Sequence, residues 1–405
     1  MIRRRRRLAL AAVPLLLAAC GGGEGDGAPT EAGAPSDEAT PHGYVAGAEE
    51  LAEPQPRLVL AEAGGGEARV LDLTTEEVTP LDVAADGLNG LAGDGRYGYL
   101  TADDGTVTVV DGGAWTVDHG DHAHHYRTAP SVVGEVPGGA GELLGAHADL
   151  AVTALTYADG TVVLLDREAL DGGEIAEPAR VDAGAPAAAV PFEGRVLVPG
   201  AEEVAVYDRA GARVGAVAEP CPEPAGAAAT RYGVVFGCAD GALLVRAEGD
   251  ADEAELTAEP IPYPEGTEPD ERARAFGQRP GSGTLVAPAG ERGVWTLELA
   301  DRAWTLTETG PVLAAAAPGD GATLLALTPD GALRAYDLGD GAETAATEPL
   351  TEPGAGAVIE VDTSRAYVND PAAGVVHEID YADDLRVSRT LAPGLAPELL
   401  VETGR

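Results

Sequence analysis

Residues 56–405 predict an all-β fold, a single β-propeller of four-stranded antiparallel blades, and three observations carry that prediction. The first is a recurring unit. A short apolar strand leads into a turn containing Gly or Asp-Gly, and a second strand then often ends in Asp. Val70-Leu71-Asp72, Val107-Thr108-Val109-Val110-Asp111, Val162-Val163-Leu164-Leu165-Asp166 and Val204-Ala205-Val206-Tyr207-Asp208 show it, as do Leu333-Arg334-Ala335-Tyr336-Asp337 and Val375-Val376-His377-Glu378-Ile379-Asp380. Leu243-Leu244-Val245 and Val294-Trp295-Thr296-Leu297 are two further marks without the Asp. The second observation is their spacing, about 38 to 55 residues, the length of one blade in WD40-like and related repeats. The third is the absence of any long amphipathic pattern, Ala-rich pieces such as 187–189 being short and flanked by Pro or Gly.

Each element follows from local chemistry. Asp104-Gly105, Asp159-Gly160, Asp240-Gly241 and Asp330-Gly331 supply hairpin turns, because Gly tolerates the positive φ that such turns need. One blade cannot bury both of its faces, whereas a ring of blades buries all but the rims and leaves few open edges. Eight marks predict eight blades, with seven as the alternative. Leu58-Val59-Leu60 near the start and Leu399-Leu400-Val401 at the end are the strands expected to pair and close the ring. A pair of β-sandwiches is the competing architecture, and even spacing without a break in composition weighs against it.

Ahead of the body, residues 1–19 read as a lipoprotein signal peptide. Arg3 to Arg7 form its positive region and Leu8 to Leu17 its apolar region, and Leu17-Ala18-Ala19-Cys20 then forms a lipobox. The Cys20 thiol is the atom expected to carry lipid and hold the chain on the outer face of the cell membrane. The apolar run is too short for a comfortable membrane span. Residues 20–55, rich in Gly, Pro, Ala and acids, are expected to be a lipid-anchored flexible linker.

The formal charge is −42, and removal of the five signal arginines leaves 21 basic against 68 acidic residues. Such a surface repels phosphate backbones and argues against nucleic-acid partners. It concentrates cations instead, although an acidic surface is also an ordinary solubility trait. Besides Cys20 the cysteines are Cys221 and Cys238, and an exported chain with one such pair is expected to join them as a disulfide.

Seven histidines occur in the chain, and four of them fall within Asp118-His119-Gly120-Asp121-His122-Ala123-His124-His125-Tyr126. Neutral imidazole is the commonest zinc ligand, and a zinc shell needs three or four N, O or S donors. On an extended chain His122 and His124 point to one face, and His119, Asp121 and His125 to the other. Gly120 permits a kink that brings His119 round to the first set. Asp121 or His147 could complete the shell, so the candidate ligands are His119, Asp121, His122, His124 and His147. The cluster follows Trp115-Thr116-Val117, which places it on a loop or outer strand at a propeller rim. A metalloprotease is excluded by the absence of HExxH, and neither a Gly-x-Ser-x-Gly elbow nor a P-loop occurs. No enzyme is expected.

The stretch VDHGDHAHHY at 117–126, followed by PSVVGEVPGG at 130–139, resembles the AztD-type zinc metallochaperones. So do Asp182-Ala183-Gly184-Ala185-Pro186 with Val190-Pro191, and Cys221-Pro222 with Phe236-Gly237-Cys238-Ala239-Asp240-Gly241. The resemblance implies an exported β-propeller that binds zinc and passes it to the solute-binding protein of a zinc ABC importer, and a monomer is expected. His119, Asp121, His122 and His124 match the family's motif directly. His125 stands where the family implies an aromatic residue. Histidines implied after Gly184-Ala185-Pro186 and after Cys221-Pro222 are replaced by 187–189 (AAA) and 223–226 (EPAG), and one implied near Glu142 is absent. The alternative reading is a propeller scaffold lipoprotein without metal.

Overall fold

In the computed structural model the described residues are 43–118, 122–139, 141–184, 187–249, 254–352, 354 and 356–405. The signal segment, the Cys20 lipobox and the first part of the expected linker lie outside them.

Eight antiparallel sheets form the blades of the ring. Blade 1 is closed by both ends of the body, with Leu399–Thr403 as its first strand and Arg57–Ala61, Ala68–Asp72 and Val78–Leu81 completing it. The pairing Val59 with Val401 and Leu60 with Leu400 is the closure that the sequence anticipates. Blade 2 comprises Leu88–Gly93, Tyr97–Ala102, Val107–Asp111 and Ser131–Val136. Blade 3 comprises Leu143–Ala148, Val152–Tyr157, Thr161–Asp166 and Ala179–Asp182. Blades 4, 5, 7 and 8 repeat the plan through residues 190–217, 227–262, 314–346 and 359–391. Blade 6 has three strands, from Thr284–Ala289 to Ala303–Thr307, and the place of its first strand is marked only by a bridge from Gly277 to Val286.

Alternation of side chains explains why both faces of each blade are apolar. In Arg57–Ala61, Leu58 and Leu60 pack towards blade 8, while Val59 and Ala61 pack towards blade 2. The same division recurs round the ring, giving eight apolar layers between consecutive blades. Burial of these layers is the main driving force for closure.

The recurring Asp at the end of the third strand has a shared task. Asp72 accepts from the backbone N–H groups of Thr74 and Thr75, Asp208 from Ala210 and Ala212, and Asp337 from Gly339. Each carboxylate thus satisfies amides of the turn that starts the fourth strand. In blades 1, 2 and 8 it also meets an arginine fifteen residues earlier, giving Arg57–Asp72, Arg96–Asp111 and Arg365–Asp380. The four Asp-Gly turns all connect second strands to third strands. Cys221 and Cys238 are joined as a disulfide.

A ninth sheet stands apart from the ring. Ala114–Asp118 and Ala123–Arg127 form a hairpin inserted between the third and fourth strands of blade 2, and Glu49–Leu51 adds a third strand to its outer edge. Part of the expected linker, Glu49–Leu51, is therefore a strand built onto the hairpin.

Candidate metal centre

The hairpin leaves blade 2 through a glycine neck. Gly113 has a φ of 72°, and a Cβ there would lie 2.6 Å from Arg57 Nη1 and 2.7 Å from the Thr128 carbonyl oxygen. Only glycine fits both the conformation and the space. Arg57 uses that space as a clamp. Its Nη1 donates to the Gly112 carbonyl at 2.9 Å and the Thr128 carbonyl at 3.0 Å, on the two sides of the neck, and its Nε to Asp72 at 3.2 Å. Burial raises the Asp72 pKa, but the Thr75 and Thr74 amides and Arg57 outweigh it and hold the carboxyl below its ordinary value.

Above the neck, Trp115 anchors the hairpin. The Arg96 guanidinium lies 3.7 Å from the Trp115 ring centroid, and Arg96 is itself held by Asp111 and Asp171 at 2.8 Å each. The Trp115 indole donates to the Gly43 carbonyl at 3.0 Å, and its ring stacks on Tyr126 at 5.4 Å. Val45 and Ala48 pack against Trp115, Val117 and Tyr126 to form a small apolar cluster of the hairpin's own.

Strand register then sorts the histidines. Val117 pairs with His124, Trp115 with Tyr126 and Thr116 with His125. His124 and Tyr126 therefore share one face with Trp115 and Val117, and their rings stack at 6.2 Å. His122 joins this face, its ring 5.0 Å from that of His124 and at 78° to it. His125 faces the other way and meets the Thr116 hydroxyl at 3.0 Å, as the alternation in sequence implies. Desolvation, with the neighbouring His124 adding to it, lowers the His125 pKa.

The spacing of the pair bears on metal binding. Two imidazoles on one tetrahedral zinc, each with its nitrogen about 2.0 Å from the metal, have centroids about 5 Å apart. His122 and His124 stand at that separation. Glu50 adds an orienting group, since its Oε1 lies 2.7 Å from His124 Nδ1. A carboxylate that accepts the Nδ1 proton fixes the tautomer in which Nε2 carries the lone pair. Glu50 escapes a reading of the sequence because it sits in an acidic linker with no pattern to mark it.

His119 and Asp121 lie outside the described residues. His147 sits on the first strand of blade 3, paired with Ala154, and so belongs to a different sheet from His124. It is partly buried, and desolvation pushes its pKa down to about 4, which keeps the imidazole neutral. Among the described residues no group of three or more His, Cys, Asp or Glu side chains is disposed to hold a metal ion. The resemblance implies histidines near Glu142, in the stretch 187–189 and within 223–226. These positions fall in connections from a fourth strand to the next first strand. In a ring of antiparallel strands those connections emerge at the opposite end from the third-to-fourth connection that carries the hairpin neck.

No protein-family model matches the chain, and no curated protein matches it. Solved structures do. Citrobacter koseri AztD superposes with a TM-score of 0.72 at 19% identity, covering 87% of this chain and 99% of that one. The apo form of AztD from the same organism gives 0.70 at 19% identity, covering 87% and 98%. The dihydro-heme d1 dehydrogenase NirN, in complex with DHE, gives 0.53 at 18% identity, covering 87% and 76%. At such identities likeness establishes architecture, and the architecture here is an AztD-like β-propeller that has diverged far in sequence.

Proposed function

We propose that this chain is an extracytoplasmic zinc-binding lipoprotein that buffers zinc or delivers it to the solute-binding protein of a zinc ABC importer. The observation that carries the reading is the His122–His124 pair at zinc-ligand spacing, with Glu50 orienting one ring, on an AztD-like fold. The proposed donors are His119, Asp121, His122 and His124, with His147 as the candidate from outside the hairpin. Zinc is cargo here, and its transfer is ligand exchange without a covalent step. Imidazoles on an exposed hairpin suit that task, because an incoming ligand can displace them one at a time. Anchoring through Cys20 would hold the site close to a membrane permease.

Competition against a chromogenic chelator tests the reading. Zinc should bind at a stoichiometry near one, and the combined variant His119→Ala, His122→Ala, His124→Ala should lose it. A chain that leaves zinc with a weak chelator at every ratio refutes the proposal. A second reading, an interaction scaffold without metal, draws on the absence of a three-donor group among the described residues. It predicts a protein partner that stays bound in excess chelator.

A further inference from the structure

The segment 43–51 lies where the sequence suggests only a tether, yet it packs along the hairpin and reaches the face that carries His124. Its backbone extends the hairpin sheet, with Glu49 opposite Arg127, Glu50 opposite Tyr126 and Leu51 opposite His125. Val45 and Ala48 pack against the hairpin's apolar cluster, Tyr44 meets Tyr126 edge-on at 6.3 Å, and the Gly43 carbonyl accepts from Trp115. Glu49 pairs with Arg127 at 2.9 Å. Glu50 then reaches the imidazole of His124 at 2.7 Å.

We propose that residues 43–51 form a strap that is a working part of the metal centre, with Glu50 as the positioning residue of His124, so that metal affinity and docking of the strap are coupled. The inference rests on the zinc-binding reading of the hairpin and adds a control element to it. The attachment is slight, since a three-residue edge strand has few backbone hydrogen bonds and its Glu49 and Glu50 side chains are exposed. Such an element opens locally at low cost compared with the ring behind it. When it opens, His124 loses the carboxylate that fixes its tautomer and direction.

Linkage makes the proposal quantitative. The factor by which a docked strap strengthens zinc binding must equal the factor by which zinc strengthens strap docking. Removal of a carboxylate that orients a zinc-bound imidazole weakens metal binding by about 10- to 100-fold. Zinc should therefore slow hydrogen exchange at the amides of 43–51 by a similar factor.

The experiment uses the exported chain with Cys20→Ser to keep it in solution. Zinc affinity by chelator competition and hydrogen exchange of 43–51 with and without zinc are measured for that chain and for Glu50→Gln, Glu50→Asp, Arg127→Gln and His124→Ala. The expected results are a 10- to 100-fold loss of affinity in Glu50→Gln, partial recovery in Glu50→Asp, and zinc-dependent protection of the strap that Glu50→Gln abolishes. Arg127→Gln loosens the strap without touching His124 and should weaken zinc binding to a smaller degree. Unchanged affinity in Glu50→Gln beside a loss in His124→Ala overturns the coupling and leaves the zinc reading standing. No zinc binding by the unaltered chain overturns both.

Discussion

Replacing Glu402 by Gln should remove a pH dependence that the ring carries at its point of closure. Glu402 lies on the closing strand opposite Leu58, and its side chain is 1% exposed. Its Oε2 accepts from Arg405 at 3.1 Å, while Oε1 is buried with no hydrogen-bond partner among the described residues. Arg405 is shared, since it also donates to Glu360 at 3.3 Å. Burial is the chief cause of a raised Glu402 pKa, with Asp362 and Glu360 pushing the same way and only Arg405 opposing them, and the carboxyl is pushed up to about 8. A raised carboxyl keeps its proton in the folded state after the unfolded chain has released it, so stability falls as pH rises from 4.5 to about 8 and then levels off. The gap between those values corresponds to about 5 kcal/mol at ~1.4 kcal/mol per pH unit, an upper figure because water can relax around the buried group. Urea unfolding at pH 5, 6, 7 and 8 measures it. His147 works in the opposite sense, since its depressed pKa adds stability as pH rises from about 4 to 6.5. The informative quantity is therefore the difference between the native chain and Glu402→Gln. That difference should move by about 3–5 kcal/mol in favour of the variant between pH 5 and pH 8. A difference that stays constant across the range refutes the argument that Glu402 holds a proton in the folded ring.

Further expectations concern the hairpin neck, the disulfide and the lipobox. Arg57→Leu strips the neck of its clamp and leaves buried Asp72 without its cation, so it should lower stability by about 3–5 kcal/mol in denaturant titrations. Hydrogen exchange should then speed up within 114–127 more than in blades 4 and 5. Gly113→Ala should also destabilise the hairpin, by more than about 1 kcal/mol, because both its φ and its surroundings exclude a methyl group. Removing the disulfide by Cys221→Ser with Cys238→Ser, which opens a loop of separation 17, should cost about 3 kcal/mol in the same assay. Cys20→Ser should release the chain from membranes in fractionation and abolish labelling by a radioactive fatty acid.

What the sequence discloses here is what repeats. Blade number and the four Asp-Gly turns are legible because alternation and turn chemistry act within a few residues and recur round the ring. The facing of His122 and His124 away from His125 is legible for the same reason, since a strand's alternation needs no knowledge of its neighbours. The parts that escape are the ones that occur once. Nothing in Glu49-Glu50-Leu51 distinguishes a strand from any other acidic piece of a linker, and its pairing with Ala123–Arg127 spans more than seventy residues. Arg57 reads as the start of a strand, and its grip on Gly112 and Thr128 depends on the third-to-fourth connection of a different blade.

These single-copy contacts share a location, and that has a consequence for when the site can form. Arg57 holds the hairpin neck from blade 1, the blade that the two ends of the body close between them. Thr116, which meets His125, also donates to the carbonyl of Gly404 at 3.4 Å. The Gly404 amide in turn donates to Gly95 at 2.8 Å, beside the Arg96 that stacks on Trp115. Gln55 accepts from Arg127 at 3.5 Å, and Glu50 completes the set at His124. Residues from both ends of the body therefore converge on one hairpin, Gly404 following the closing strand and Arg57, Gln55 and Glu50 coming from the other end. A chain still threading through a membrane would present His122 and His124 on an unsupported ribbon, and two-stranded ribbons are marginal in water. Closure of the ring adds the Thr116–Gly404 bond to a hairpin otherwise held by residues 43–57 and by Arg96. Metal binding, measured during refolding from urea, should lag the earliest gain of β-structure, because these contacts join residues far apart in the chain.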